Sequence, residues 1–295
     1  MRRRLAPLLV LLCGCGQAVP PSTATITEGF SAKFLGDMPG LHNLIRVNDW
    51  LYTGSEPESD PGFETLQSLG IRTIITVDGT TPDLARAAKL GMRYVHIPIG
   101  YNAIPQDRIL LIAKAMKELP RPIYLHCHHG KHRGPAAAMA AVRCLDLQCS
   151  LAESLGFLKL TGTDPEYSEL YASVENQRVL APAELDKVPA TFPASAPVPD
   201  FVGKMIEMDN LLQRLKKSQA KDRPGAIALR ELYRELLRES DQKPEGFRKL
   251  LQQGEMLSEE MMQADSEAAV KTFIAKSSSI CTDCHKRFRN HARAK

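Results

Sequence analysis

The chain has 295 residues, of which 43% are hydrophobic and 24% charged. This length accommodates two ordinary domains, and the composition excludes a disordered chain and a chain built mainly of membrane spans. The net charge is +4, but Arg2, Arg3 and Arg4 supply three of these charges, so about +1 remains on the rest. Such a small excess gives no reason to expect nucleic acid as a partner.

Residues 5–12 form an apolar run between those arginines and two cysteines. The run is too short to cross a bilayer and is typical of a secretory signal. Its end, Leu12-Cys13-Gly14-Cys15, resembles the bacterial lipobox, which implies lipidation of Cys15 and stable membrane anchoring by more than one acyl chain. Simple cleavage and secretion is the alternative. Residues 1–15 are predicted to be a lipoprotein signal peptide, and residues 16–40 a flexible tether on the periplasmic side of the bacterial cell envelope.

Residues 41–180 alternate predicted strands with predicted helices. Runs of β-branched or apolar residues that end at turn residues predict strands, and apolar residues at helical spacing predict helices. The predicted strands cover residues 71–77, 93–99 and 122–126, and the predicted helices cover residues 83–90 and 106–119. This alternation predicts an α/β fold with a mostly parallel central sheet and flanking helices.

Cys127 follows the third of these strands, and Arg133 stands six positions later, before a helix-forming run. In such a strand–loop–helix unit, main-chain N–H groups at the helix start can bind an anion. These positive groups favour a nucleophilic thiolate at Cys127, and Arg133 can hold two phosphate oxygens with its planar fork. Gly130 permits the tight curl of the loop. The predicted phosphate-binding residues are His128, His129, Gly130, Lys131, His132 and Arg133.

The pattern His126-Cys127, five residues, then Arg133 resembles the signature of the protein tyrosine and dual-specificity phosphatase superfamily. Residues 48–54 and 69–71 also look like the openings of small bacterial and dual-specificity members. The resemblance implies that Cys127 is the nucleophile that forms a phosphocysteine, that Arg133 clamps the phosphate, and that the substrate is a phosphoester.

Two departures from that family concern the help given to the leaving group. Gly134 stands where the family usually has Ser or Thr, and the segment 98–105 lacks the general-acid Asp, with Asn102 near its expected position. We consider two substitutes. Asp107 begins the next helix, where its other role is to interact with the helix dipole. Asp78 ends a strand, at the edge of the sheet where active sites gather in α/β proteins.

Three other interpretations of the loop stay open. It can bind an oxyanion without turnover. It can also transfer sulfur through a persulfide on Cys127, as rhodanese-like enzymes do. Metal binding by His126, His128, His129 and His132 is disfavoured, because consecutive loop residues point in different directions.

Residues 181–200 contain five prolines, which predicts a stiff linker without regular helix. Beyond it, residues 201–295 show four amphipathic helical patterns, which predict an all-α four-helix bundle. The bundle ends in Cys281-Thr282-Asp283-Cys284-His285, the attachment motif of a c-type haem.

The position of this motif on a C-terminal helix resembles the cytochrome c-prime group. The resemblance implies one covalent haem c on Cys281 and Cys284, with His285 as an iron ligand. Met205 is the predicted distal ligand, and Met208 is the second choice. An electron carrier of this kind needs a redox partner protein, whereas an empty sixth position would bind small gases.

Together these features predict a cysteine-dependent phosphatase acting on periplasmic phosphoesters, fused to a c-type cytochrome for electron transfer or for redox or gas sensing. The alternatives are an electron-transfer cytochrome with a non-catalytic oxyanion-binding domain, and a sulfurtransferase-like persulfide carrier.

Overall fold

A computed structural model describes residues 29–101, 103–165, 167–198, 201–218, 222–264 and 266–289. The predicted signal peptide, with its lipidated Cys15, and Asn102 lie outside these ranges. Within them, no helix combines the length and the apolar character that crossing a bilayer requires. The α/β region below is residues 29–198, and the helical region is residues 201–289.

Six strands form one mixed sheet in the order β1-β2-β3-β6-β4-β5. They are β1 (Lys33–Met38), β2 (Leu41–Arg46), β3 (Leu51–Gly54), β4 (Thr73–Thr76), β5 (Arg93–His96) and β6 (Ile123–His126). The last four in the sheet order are parallel, whereas β1 and β2 add an antiparallel edge. The predicted α/β fold with a mostly parallel sheet is confirmed, and all three predicted strands are present.

The strand register brings one edge of the sheet to a single level. His126 at the end of β6 aligns with Gly54 at the end of β3 and with Thr76 at the end of β4. All four residues of β6 are buried, as expected of a central parallel strand covered on both faces. The residues that follow these three strands therefore meet at one edge.

In the described part of residues 29–198, seven helices accompany the sheet. They are α1 (Ser59–Ser68), α2 (Leu84–Lys89), α3 (Gln106–Glu118), α4 (Arg133–Cys144), α5 (Leu151–Leu160), α6 (Ser168–Glu175) and α7 (Pro182–Asp186). Helix α4 is buried along nearly its whole length because its run of alanines lets it pack closely against β6, β3 and the helices α3, α5 and α6. A helix held this firmly fixes the position of its first residue, Arg133.

Two boundary predictions are wrong. The predicted tether extends to residue 40, but residues 33–38 form β1, which pairs with β2. The predicted linker was expected to contain no helix, but α7 begins at Pro182, since proline is tolerated in the first turn of a helix. Part of that linker also docks on the sheet, because the main-chain N–H of His96 donates to the carbonyl of Pro193 at 2.8 Å.

The helical region contains four helices in its described residues: α8 (Phe201–Ser218), α9 (Arg223–Arg238), α10 (Glu245–Met262) and α11 (Glu267–Cys284). A π-helical turn (His285–Arg289) follows α11. Helix α9 packs on α8 and α10, and α11 packs on α10 and α8. One continuous cluster of buried apolar side chains joins this region to the α/β region.

Candidate active site and haem-attachment segment

The segment between β6 and α4, residues 127–133, forms a closed loop, which we call the phosphate loop. Cys127 is 4% exposed at the end of β6, and Arg133 is the first residue of α4. Gly130 has a φ of +67°, and a Cβ there would lie 2.3 Å from the carbonyl carbon of Gly54. Only glycine fits this conformation and this contact, so the curl predicted at Gly130 is present.

Hydrogen bonds from other elements hold the loop from outside. The Asn43 side-chain amide donates to the carbonyl of Gly130 at 2.8 Å, and the Thr163 hydroxyl donates to that of Lys131 at 2.5 Å. The N–H of Glu56 donates to the carbonyl of His128 at 2.9 Å. These three main-chain carbonyls of the loop are therefore paired with groups that lie outside it.

Arg133 is buried, and carboxylates occupy both ends of its guanidinium. One terminal nitrogen donates to Asp78 Oδ2 at 3.2 Å, and the other lies 3.0 Å from Glu235 Oε1. The guanidinium also stacks on the ring of Tyr101, 4.2 Å from its centroid. Burial alone would lower the pKa of Arg133, but Tyr101, Asp78 and Glu235 raise it well above its ordinary value. Arg133 is therefore a fixed cation beside Cys127.

Asp78, a candidate general acid, holds Arg133 in position instead. Its side chain is 1% exposed and binds two arginines, Arg133 and Arg238, the second at 3.1 Å. Burial by itself would raise the pKa of Asp78, but the two arginines lower it far below its ordinary value. This pairing favours an ionised carboxylate that positions Arg133 over a proton donor.

Asp107, the other candidate, lies on the exposed surface of α3. Its side chain is 76% exposed in the first turn of α3, and its partner there is Arg108 at 3.7 Å. This is the position of a residue that interacts with the helix dipole. No contact in the described part of the chain joins Asp107 to the phosphate loop.

The loop's histidines are held by protein groups. His128 Nδ1 lies 3.1 Å from Glu56 Oε2, and the ring of His132 packs on Tyr167 with centroids 4.6 Å apart. Burial lowers the pKa of both His129 and His132 to about 4, so both rings are neutral near pH 7. Among the predicted phosphate-binding side chains, Arg133 is a buried cation and Lys131 is exposed.

Among the described residues, no group of three or more His, Cys, Asp or Glu side chains could hold a metal ion.

Four charged residues from the helical region reach this site and were not among the predicted site residues. Glu235 binds Arg133, Arg238 binds Asp78, and Glu231 Oε2 accepts from the Tyr101 hydroxyl at 2.9 Å. Lys204 on α8 donates to the carbonyl of Gly79 at 3.2 Å. The signal was present on α9, where residues 231, 235 and 238 are spaced to share one face, but that spacing is also typical of a solvated helix.

A cavity of about 350 Å³ lies between the two regions beside this network. Arg133 and Arg108 line it from the α/β region, and Lys204, Glu207 and Glu235 line it from the helical region. The site is thus a composite of both parts of the chain.

The predicted haem-attachment residues lie at the other end of the helical region. Cys281 and Cys284 are in the last turn of α11, and His285 begins the π-helical turn. Cys284 and His285 line a cavity of about 810 Å³, whose wall also includes Met205 and Phe247. Met208 is buried and is not among the lining residues.

No protein-family model matches this chain, and no curated protein matches it. Several solved structures are similar to part of it. A single-substitution variant of P. aeruginosa TpbA in complex with pTyr is 19% identical, with a TM-score of 0.41, over 50% of this chain and 87% of TpbA. The core catalytic domain of the S. cerevisiae PP-IP phosphatase SIW14 is 15% identical, with a TM-score of 0.40, over 48% of this chain and 90% of that domain. A putative DUF442 phosphatase from Shewanella putrefaciens is 17% identical, with a TM-score of 0.37, over 48% of this chain and 95% of that protein. Likeness at this level does not assign an activity.

Proposed function

We propose that the α/β region is a cysteine-dependent phosphatase that acts on phosphoesters through a phosphocysteine. The observation that carries the proposal is the placement of Cys127 at the end of β6, with Arg133 fixed at the start of α4 and a closed loop between them. This arrangement supplies a nucleophile, a bidentate cation and a helix N-terminus at one point.

In the proposed reaction the Cys127 thiolate attacks phosphorus, and the bond to the leaving oxygen breaks. Arg133 and the loop N–H groups stabilise the charge on the equatorial oxygens. Water then attacks the phosphocysteine, which releases phosphate and restores the thiolate. The leaving oxygen needs a proton unless it is already a stable anion, and neither Asp78 nor Asp107 supplies one. Aryl phosphates are therefore the substrates that this site suits best.

The test is steady-state hydrolysis of an aryl phosphate by the full chain. We expect Cys127→Ser to abolish turnover, because a hydroxyl is a far weaker nucleophile than a thiolate. Cys144→Ser is the matched control, since Cys144 is a buried free cysteine within α4. Turnover that survives Cys127→Ser would refute the mechanism. A persulfide on Cys127 after thiosulfate treatment, without phosphatase turnover, would favour sulfur transfer.

We propose further that the helical region is a four-helix bundle that carries one covalent haem c. The large cavity beside Cys284 and His285 supports this, because its wall combines aromatic side chains with both predicted iron ligands, His285 and Met205. Cys281 and Cys284 would hold the haem covalently, and a bound haem would supply one-electron transfer or gas binding. A redox partner protein and a lipid anchor in the periplasm belong to the same proposal.

The haem is tested by exporting the chain to the periplasm of a bacterium that matures c-type cytochromes. We expect haem absorbance that stays with the denatured polypeptide, and its loss in the double variant Cys281→Ala, Cys284→Ala. Cys149→Ala, a change at a free cysteine far along the chain from the motif, is the control. A chain that carries no covalent haem under these conditions would refute the cytochrome part of the proposal.

A further inference from the structure

One face of α9 lies over the phosphate loop and pairs with its charged groups. Glu231, Glu235 and Arg238 lie at positions i, i+4 and i+7, so they form one stripe along the helix. They bind Tyr101, Arg133 and Asp78, respectively. Asp78 and Tyr101 follow the carboxyl ends of β4 and β5, and Arg133 is the last residue of the phosphate loop. The stripe therefore covers the edge of the sheet where substrate would enter.

The most direct of these contacts uses the group that phosphate would need. Arg133 binds phosphate through two N–H groups of its fork, but one end faces Asp78 and the other faces Glu235. The Glu235 carboxylate offers two oxygens and a negative charge, as a phosphate does. Glu235 and a substrate phosphate would therefore compete for the same side of Arg133.

The position of Glu235 is fixed by groups around it. A Cβ on Gly79 would lie 3.0 Å from Glu235 Oε2, so the carboxylate sits directly against the segment after β4. Lys204 lies 3.9 Å from the same oxygen and also binds Glu239 and the carbonyl of Gly79. Glu235 is 7% exposed, and this burial raises the pKa of its carboxyl.

The opposite face of α9 bears on the predicted haem-attachment turn. Tyr233 lies between Glu231 and Glu235 in sequence, and its ring is buried beside the Cys281 thiol. The ring also packs on Gly254 of α10 so closely that a Cβ there would overlap it. A single helix thus contacts both the phosphate loop and the segment that carries the CxxCH motif.

We propose that α9 is an intramolecular inhibitor of the phosphate site, with Glu235 bound to Arg133 in place of substrate phosphate. The site becomes available when the helical region withdraws this helix. The proposal rests on the proposed role of Arg133 as the phosphate clamp, but its test does not require turnover.

The test measures the affinity of the full chain for inorganic phosphate by calorimetry. We expect Glu235→Gln to bind phosphate at least about tenfold more tightly than the unchanged chain, because a competent site is no longer limited to a minor population. Glu260→Gln removes the same charge from an exposed position of α10 and is expected to leave the affinity unchanged. Arg238→Gln removes the contact of α9 with Asp78 and leaves Arg133 unaltered. We expect this variant also to bind phosphate more tightly than the unchanged chain does.

Hydrolysis of an aryl phosphate by the same variants separates the two proposals. Tighter phosphate binding without turnover in any variant would keep the inhibition and refute the phosphatase. Equal phosphate affinity of Glu235→Gln and the unchanged chain, or no phosphate binding by Glu235→Gln, would overturn the inhibition. Slower turnover of Glu235→Gln at unchanged phosphate affinity would also overturn it, because Glu235 would then be the missing proton donor.

Discussion

At the scale of single residues, the backbone conformation of the loop and its packing both require glycine at position 130. Its positive φ disfavours any side chain, and the backbone of Gly54 and Ser55 occupies the place of a Cβ. Gly70 has a similar φ of +75°, but nothing lies within 4 Å of a Cβ built there. Substitutions at the two positions can therefore be compared to separate the cost of backbone strain from the cost of steric overlap.

We predict that Gly130→Ala destabilises the chain more than Gly70→Ala does. The left-handed conformation costs an alanine roughly 1–2 kcal/mol at either position, and overpacking adds about 1–3 kcal/mol at Gly130 alone. Urea denaturation of both variants measures the difference in free energy of unfolding. Equal losses would mean that the loop moves away from β3 at little cost.

Asp78 shows why a residue's role depends on groups far away in sequence. Its position at the end of β4 marked it as a candidate for the site, and it does contact Arg133. Arg238, 160 residues later, also binds it and lowers its pKa, which favours a positioning role over proton donation. Nothing in the sequence around Asp78 reveals that partner.

At the scale of elements, periodicity and turn residues predicted three of the six strands of the sheet, β4, β5 and β6, and all four C-terminal helices. The predicted strand at residues 122–126 is β6, and the predicted helix at residues 106–119 is α3. The hairpin of β1 and β2 was not predicted. Strand β1 is half exposed at the edge of the sheet and contains Gly36, so it lacks a continuous apolar run. Edge strands of this kind depend on pairing rather than on their own composition.

Helix α9 was predicted as an element, but the function of one face was not. Its apolar residues Leu229, Leu232, Tyr233 and Leu236 indicated a buried face, and that face is buried. Its charged face is also buried, because it packs against Arg133 and Asp78 instead of facing water. Sequence periodicity identifies which residues share a face, but it cannot tell which other element covers a polar one.

At the scale of the whole molecule, the Pro-rich segment predicted as a stiff linker joins two regions that pack on each other. The described residues show docking: buried side chains such as Leu211 and Ile227 from the helical region belong to the same cluster as Ile97 and Ile104. Buried ion pairs cross the same boundary. Such pairs add little net stability, but breaking one by removing a single partner leaves an uncompensated charge.

We therefore predict that the two regions unfold together in one transition. Hydrogen-exchange mass spectrometry in rising urea compares peptides from β6 with peptides from α10, and we expect their unfolding midpoints to coincide. Arg238→Gln leaves Asp78 and Glu56 without one of their cationic partners, so we expect a lower midpoint and earlier exposure of α10. Glu260→Gln, exposed on α10, is the control. Midpoints that already differ in the unchanged chain would show that the regions are tethered rather than docked. In that case α9 would leave the phosphate loop even in the unchanged chain. The inhibited state would then be only a minor part of the population.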